Sequence, residues 1–189
     1  MAGPNVLLVV LDTCRADALE PYGAAAGTTP ALAQLAARGK ALPRVHATAC
    51  WTMPSHVSMF TGALPREVGL SQAPGESPPG CRPRVESLAD RFLPHVLRAN
   101  GYRTRAVSCN VWISNASGFA TGFDELRDIA SPRAGEMVSS ELGPRTRWAL
   151  DALRARDDDG AAQAGKVLRD WFAEPSDGPT FWFTNLIEC

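Results

Sequence analysis

The chain has 189 residues, 45% of them hydrophobic, which is enough apolar material for the core of one globular domain. Its 19 basic and 20 acidic residues nearly cancel, and this balance excludes the basic surface that nucleic acid or an anionic membrane would require of a partner. No apolar run is long enough to cross a bilayer, and residues 1–5 lack the features of a signal peptide, so we expect a cytoplasmic protein.

The first predicted element is a strand over residues 5–11, a continuous apolar run rich in β-branched side chains. Such a run is typical of a buried strand in a parallel sheet. Asp12 follows directly, and ligands of open α/β sheets bind at the carboxyl ends of strands, so this carboxylate is a candidate site residue. On the residues alone, a role for Asp12 as the cap of the next helix is an equal alternative.

A short amphipathic helix over residues 31–39 and an extended segment or short strand over residues 44–49 come next. We expect the helix to contribute packing and the segment to deliver the chain to the following motif. Neither is expected to carry chemistry.

The run from Cys50 to Gly62 predicts a helix whose start is suited to an anion. Thr52 is expected at the cap, Pro54 suits the first turn, and Gly62 would end the helix. Because the helix dipole and the free N–H groups favour a phosphate or sulfate there, Thr52 could attack a bound ester as well as cap the helix. The apolar residues expected to anchor this helix are Val57, Met59 and Phe60.

Two further polar residues of this helix are candidates for the site. His56, one turn into the helix, could hydrogen-bond the anion or the leaving oxygen, and a structural role for it is nearly as well supported. Ser55 is expected to contact the substrate. The simplest alternative for the whole motif is that Thr52 only caps the helix.

The second half of the chain alternates helices and strands, which is the grammar of βαβ units. Asn110 ends the second predicted strand, as Asp12 ends the first, and is a candidate substrate-binding residue. The predicted elements are an irregular stretch over 63–84, a helix over 85–101 that Pro94 kinks or splits, a strand over 103–109, a turn-rich connection over 114–141, helices over 145–154 and 161–172, and a central strand over 179–188. The predicted fold class is therefore α/β, with a mostly parallel central sheet and helices on both faces.

Three stretches together resemble the sulfatase family of the alkaline-phosphatase-like superfamily, in the same order and at similar separations. They are Asn5 to Asp17, Thr29 to Leu32, and Trp51 to Gly62. The resemblance continues at the Gly101-Tyr102 and Gly122-Phe123-Asp124 segments and at the closing strand. It implies that residues 1–189 are the amino-terminal part of a sulfatase-like catalytic domain.

The resemblance implies that Asp12 is a divalent-metal ligand and that Thr52 holds the nucleophile position and also contacts the metal. It does not distinguish calcium, zinc and manganese. Members of the family oxidise a cysteine or serine at this position to formylglycine, within a Cys/Ser-x-Pro-Ser-Arg motif. This chain has threonine, which cannot form that aldehyde, and His56 in place of the arginine; Cys50 is two residues out of register, so formylglycine is not expected.

The resemblance therefore implies a metal-dependent hydrolase that acts on a small-molecule sulfate or phosphate ester. Threonine at position 52 is more like the phosphodiesterase and phosphotransferase branches of the superfamily, which leaves the type of ester open. A non-catalytic α/β domain that binds anions at the helix start, or a plain folded fragment, are the alternatives. Because the chain stops on a strand of buried type, we expect an incomplete domain with little activity alone.

Overall fold

A computed structural model describes residues 3–70, 77–129 and 159–187. Within these ranges the chain forms one parallel sheet of four strands in the order β1-β4-β2-β3. The strands are β1 (Val6–Leu11), β2 (Arg103–Ser108), β3 (Glu125–Asp128) and β4 (Thr180–Leu186). The closing strand β4 thus lies between β1 and β2, as its apolar sequence predicts.

Five α-helices accompany the sheet in the described ranges. They are α1 (Pro30–Arg38), α2 (Thr52–Thr61), α3 (Pro78–Glu86), α4 (Leu93–Ala99) and α5 (Ala161–Ala173). Single 3₁₀ turns occur at Ala16–Ala18, Glu20–Tyr22 and Ala89–Arg91. In the part of the chain that the structure describes, no helix combines the length and the apolar character needed to span a bilayer.

Hydrophobic packing covers both faces of the sheet. On one face, Phe181 and Phe183 of β4 pack in a large cluster with residues of α2, α3 and α4. On the opposite face, Trp182 and Val107 pack against α5 through Trp171. Because neighbouring residues of a strand point to opposite faces, the continuous apolar sequence of β4 supplies both clusters at once. The predicted α/β architecture, a parallel sheet with helices on both faces, is confirmed.

The prediction that the first strand is buried is wrong for this structure. Val6, Leu7 and Val9 are 38%, 43% and 46% exposed. Among the described residues β1 pairs only with β4 and forms an edge of the sheet, so its apolar side chains are covered only in part. The apolar composition of a strand indicates that it is suited to burial, but it does not determine how much of the strand neighbouring elements cover.

The stretch predicted as irregular contains the helix α3. Ser77 caps this helix by accepting a hydrogen bond from the Gly80 N–H at 3.3 Å, and Pro78 opens its first turn. Proline is favoured in the first turn of a helix because its missing N–H would have no partner there. The prolines therefore mark a helix start, where the sequence alone suggested a loop.

Two other boundaries differ from prediction. The helix predicted over residues 85–101 is divided between the end of α3, a 3₁₀ turn and α4, whose first turn holds Pro94. The predicted connection over 114–141 contains β3, a short charged strand that pairs with β2 at an edge of the sheet formed by the described residues. Such a strand lacks the apolar signal by which the others are recognised. The helix predicted over 145–154 lies outside the described residues, and residues 44–49 are irregular and mostly exposed.

The helix α2 is anchored to the sheet by one side of its surface. Val57 and Phe60 are buried as predicted, whereas Met59 is 42% exposed and Met53 is fully buried in its place. Phe60 packs against Phe183 of β4 with ring centroids 5.0 Å apart. Gly62 ends the helix with a φ of 68°, a left-handed conformation that glycine adopts without strain.

We expect Phe60→Ala to lower the free energy of unfolding by about 3–5 kcal/mol, because it leaves a cavity among aromatic rings. Met59→Ala, one residue earlier and exposed, is the matched control and should change it by less than about 1 kcal/mol. Urea denaturation followed by circular dichroism measures both. Equal losses in the two variants would contradict the packing described.

Candidate active site

Three polar side chains meet at the carboxyl end of the sheet. Asp12 directly follows β1, Asn185 is near the end of β4, and Asn110 lies just beyond β2. Along β4, Asn185 is two residues after Phe183 and so points to the same face of the sheet, the face that packs on α2. Asp12 is two residues after Val10, which belongs to the same cluster, at the end of the neighbouring strand β1. The alternation of side chains along each strand therefore places all three on the face where α2 begins.

The first turn of α2 adds a hydroxyl to this group. Thr52 Oγ1 donates a hydrogen bond to Asp12 Oδ2 at 3.1 Å, so the two residues meet at the carboxyl edge as expected. Thr52 is not the cap of the helix: it is the first helical residue, and Trp51 holds the cap position without a side-chain cap hydrogen bond. The hydroxyl is oriented towards the Asp12 carboxylate, which explains why it does not cap the helix.

A single carboxylate oxygen collects the hydrogen bonds of the site. Asp12 Oδ2 accepts from Thr52 Oγ1 at 3.1 Å, from Asn110 Nδ2 at 2.9 Å and from Asn185 Nδ2 at 3.2 Å. The Asp12 N–H also donates to the carbonyl of Leu186 at 2.7 Å, which joins the ends of β1 and β4. Donors from three separate elements thus hold this carboxylate in one orientation.

His56 lies behind Thr52 and is 3% exposed. Its Nδ1 is 2.8 Å from the Thr52 carbonyl oxygen and its Nε2 is 2.9 Å from Asn185 Nδ2. Burial lowers the pKa of the His56 imidazole, with partial opposition from the Thr52 carbonyl and the Asp12 carboxylate, so the neutral ring is favoured. Both ring nitrogens therefore face protein groups, and in this structure neither is open to a ligand.

The other two predicted site residues differ in their placement. Asn110 belongs to the cluster: its amide nitrogen donates to Asp12, and its Oδ1 accepts from the Trp112 N–H at 2.9 Å. Ser55 is half-buried on α2, and its hydroxyl makes no hydrogen bond to another described residue. Their proposed contacts with substrate stay predictions.

Asn185 is the residue of this cluster that sequence reasoning missed. It is fully buried and stands between Asp12 and His56, yet it was included only as part of a closing strand. The available signal was the same one that singled out Asp12 and Asn110, a polar residue at the carboxyl end of an apolar strand.

The backbone is strained beside the carboxylate. Thr13 has a φ of 63°, the left-handed region that a β-branched residue seldom adopts. Strain of this kind persists only where the surrounding structure imposes it, and it concentrates at functional sites. The tight turn after Asp12 is thus a second local indication that this strand end is specialised.

A cavity of about 630 Å³ opens beside the start of α2. Its lining includes Thr48, Cys50, Trp51, Pro54, Arg66 and Leu70. Trp51 and Pro54 flank Thr52 in sequence, so the cavity adjoins the turn that carries the hydroxyl. Trp51 also packs edge-on against Trp112, with ring centroids 5.1 Å apart. Trp51 therefore lines the cavity and also contacts the loop that follows Asn110.

A profile of the sulfatase family matches residues 4–181. The chain belongs to the sulfatase family. Arylsulfatase A of Bos taurus is 37% identical over 101 residues, and arylsulfatase A of Homo sapiens is 34% identical over 101 residues. Each alignment covers 53% of this chain and 19% of the relative, so the matched part is about a fifth of the length of these curated relatives.

Two solved structures share the fold of this sulfatase-family chain. The phosphonate monoester hydrolase of Agrobacterium radiobacter superimposes with a TM-score of 0.62 at 17% identity, over 98% of this chain and 41% of that one. A second protein, solved in complex with its substrate D-glucosamine-2-N,6-O-disulfate, gives a TM-score of 0.60 at 18% identity, over 96% and 34%. The predicted alkaline-phosphatase-like fold is thereby confirmed.

The sulfatase-family resemblance implies a divalent metal, and the described residues fit part of such a site. Asp12 and Thr52 offer oxygen ligands, which hard divalent cations prefer. The three side-chain hydrogen bonds to Asp12 among the described residues all use Oδ2, so Oδ1 is the carboxylate oxygen that they leave unused. Within residues 3–70, 77–129 and 159–187, however, no group of three or more His, Cys, Asp or Glu side chains could hold a metal ion.

We expect Asp12→Ala to lower the free energy of unfolding by about 1–3 kcal/mol, because it removes the acceptor of hydrogen bonds from side chains that include the buried Asn185. Asp17→Ala is the matched control: its exposed ion pair with Arg15 should contribute nothing measurable. Urea denaturation compares the two. A stability equal to wild type in the Asp12 variant would show that the cluster contributes nothing to folding.

Proposed function

We propose that the protein carrying this chain is a sulfatase-family hydrolase of sulfate or phosphate esters, with Thr52 at the nucleophile position. The observation that carries the proposal is the hydrogen bond from Thr52 Oγ1 to Asp12 Oδ2, made at a helix start and at the carboxyl edge of a parallel sheet. Family membership supports the reaction class. The helix start supports an anionic substrate, since its N–H groups and dipole favour negative charge.

The geometry suggests how Thr52 would act. Its hydroxyl hydrogen points to Asp12 Oδ2, so the lone pairs of the oxygen are left for the sulfur or phosphorus atom of the ester. Attack would form a bond from Thr52 Oγ1 to the sulfur or phosphorus atom and break the bond to the leaving oxygen, while the hydroxyl proton passes to the Asp12 carboxylate and then to the leaving oxygen, which departs as the alcohol. Water would then hydrolyse the Thr52 ester and return the hydroxyl.

Asp12 and Thr52 are also the residues that would hold the implied divalent metal in this part of the protein. When bound, such an ion would neutralise the negative charge of the sulfate or phosphate group. The other described residues of the site would orient the Asp12 carboxylate or line the space for the substrate. Asn110 and Asn185 orient the Asp12 carboxylate, and the cavity beside Trp51 offers room for the organic part of the ester.

The chemistry of residue 52 bears on whether the ester is a sulfate or a phosphate. The curated relatives are arylsulfatases, whereas one of the similar structures is a phosphonate monoester hydrolase. A threonine hydroxyl acts directly as a nucleophile, without conversion to formylglycine, and this favours a phosphodiesterase-type or phosphotransferase-type reaction as the second candidate. Parallel assays on aryl sulfate and aryl phosphate esters separate the two.

A non-catalytic, anion-binding role is the remaining candidate. It is favoured by the small number of potential metal ligands among the described residues. Under that role phosphate or sulfate would bind without turnover of any ester. The cytoplasmic location that we expect from the sequence also stays a proposal, which cell fractionation would test.

In the protein that carries this chain, Thr52→Ala should reduce ester hydrolysis by several orders of magnitude, because the attacking oxygen is lost. Thr52→Ser keeps that oxygen and should retain a substantial part of the activity. The matched control is Thr61→Ala at the other end of α2, where the hydroxyl donates to the Val57 carbonyl and accepts from the Ala63 N–H, away from the site. Near-normal turnover in Thr52→Ala would assign this residue a structural role.

The metal is tested by chelation and titration of the same protein. EDTA should abolish hydrolysis, and restoring calcium, zinc or manganese one at a time should identify the ion. In calorimetric titrations Asp12→Ala should bind that ion more weakly, with Asp17→Ala at wild-type affinity. Full activity after chelation, or unchanged affinity in the Asp12 variant, would remove Asp12 from the ligand set.

A further inference from the structure

We propose that Asn185 is a positioning residue for Asp12, and that His56 sets the direction in which the Asn185 amide points. The inference rests on the proposed function, because it assigns Asn185 a part in the same reaction. It is carried by a closed ring of four hydrogen bonds that joins two side chains of α2 to the ends of β1 and β4.

The four hydrogen bonds of the ring have one consistent assignment of donors and acceptors. The Thr52 carbonyl oxygen can only accept, so the nearby His56 Nδ1 must carry the proton. The Asn185 amide nitrogen lies 2.9 Å from the other ring nitrogen, Nε2, so Nε2 faces an N–H donor and is the acceptor of this bond. The amide nitrogen has a second hydrogen, which it donates to Asp12 Oδ2 at 3.2 Å.

The reverse orientation of the amide is unfavourable at both contacts. It would set the Asn185 carbonyl oxygen against the lone pair of His56 Nε2 and against the Asp12 carboxylate. The contact with His56 Nε2, made from α2, therefore adds to the preference for the orientation in which Asn185 presents hydrogen-bond donors to Asp12. The ring closes where Thr52 Oγ1 donates to the same carboxylate oxygen.

Burial argues that Asn185 is present for these donors and not for packing. The residue is fully buried on the face of β4 that otherwise carries Phe181 and Phe183. Its Oδ1 is buried without a hydrogen-bond partner among the described residues, which costs free energy. An apolar side chain of similar size would pack there without that cost, but it would leave Asp12 Oδ2 and His56 Nε2 without their shared donor.

The expected consequence lies in turnover more than in substrate affinity. With Asn185 absent, the Asp12 carboxylate can rotate, and the Thr52 hydroxyl loses its fixed acceptor. Neither change removes a group that binds the organic part of the ester. In the protein that carries this chain, Asn185→Leu should therefore lower kcat by about 10–100-fold, with KM within about 2-fold.

Three comparisons distinguish positioning from a structural role. Asn185→Leu keeps the buried volume filled and removes only the hydrogen-bonding amide, so wild-type kcat in this variant would overturn the proposal. Adding His56→Ala to Asn185→Leu should cost little beyond the larger single effect, because both act through one ring; fully additive losses would also overturn it. Asn115→Ala is the matched control, since Asn115 donates to Asp128 outside this cluster, and its kcat should be unchanged.

Nitrogen-15 NMR of histidine-labelled protein supplies a readout that is independent of activity. His56, assigned with His56→Gln, should show a protonated Nδ1 and a hydrogen-bonded, unprotonated Nε2, and Asn185→Leu should shift only the Nε2 signal strongly. A proton on Nε2 would overturn the proposal. If wild-type protein hydrolyses no ester while the NMR result holds, the proposed function fails and the positioning of Asp12 by Asn185 stands.

Discussion

The organisation of this site depends on one oxygen atom. Asp12 Oδ2 accepts hydrogen bonds that originate in α2, in the loop after β2 and in β4. A carboxylate with three donors is well stabilised where it is only partly exposed to water. Since those donors come from segments far apart in sequence, the bonds form only when the strands are in register and α2 lies across their ends. The geometry of the site therefore depends on the correct assembly of the whole sheet and of α2, and not on local sequence alone.

The two faces of the sheet have different roles. The face that packs on α2 carries a large aromatic cluster, in which the Phe60 ring contacts several other aromatic side chains. At the carboxyl end of the strands this apolar face gives way to the hydrogen-bonded polar residues of the site. The other face is closed by α5, where Arg105 and Arg127 lie over the Trp171 ring. Dense packing behind α2 holds its first turn, and with it the Thr52 hydroxyl, in place.

The residue at position 52 separates this chain from members of its family that use formylglycine. Under the proposed function the nucleophile is the Thr52 hydroxyl, a weak one, so its orientation matters more than that of a preformed aldehyde hydrate. The ring of hydrogen bonds through His56 and Asn185 supplies such an orientation, and it uses a histidine where the family motif has arginine. His56 and Thr52, the two residues that differ from the motif, thus belong to the same ring of hydrogen bonds.

The sequence by itself determined the βαβ order, the strand ends at Asp12 and Asn110, and the helix start at Thr52, because apolar periodicity, glycines and prolines are local signals. Only the tertiary structure decided what those signals leave open. The burial of the β1 side chains depends on how far neighbouring elements cover them, and the charged strand β3 forms because it pairs with β2. Asn185 and His56 meet across more than a hundred residues of sequence. Pairing and burial are long-range properties, so no window of the chain contains the information that specifies them.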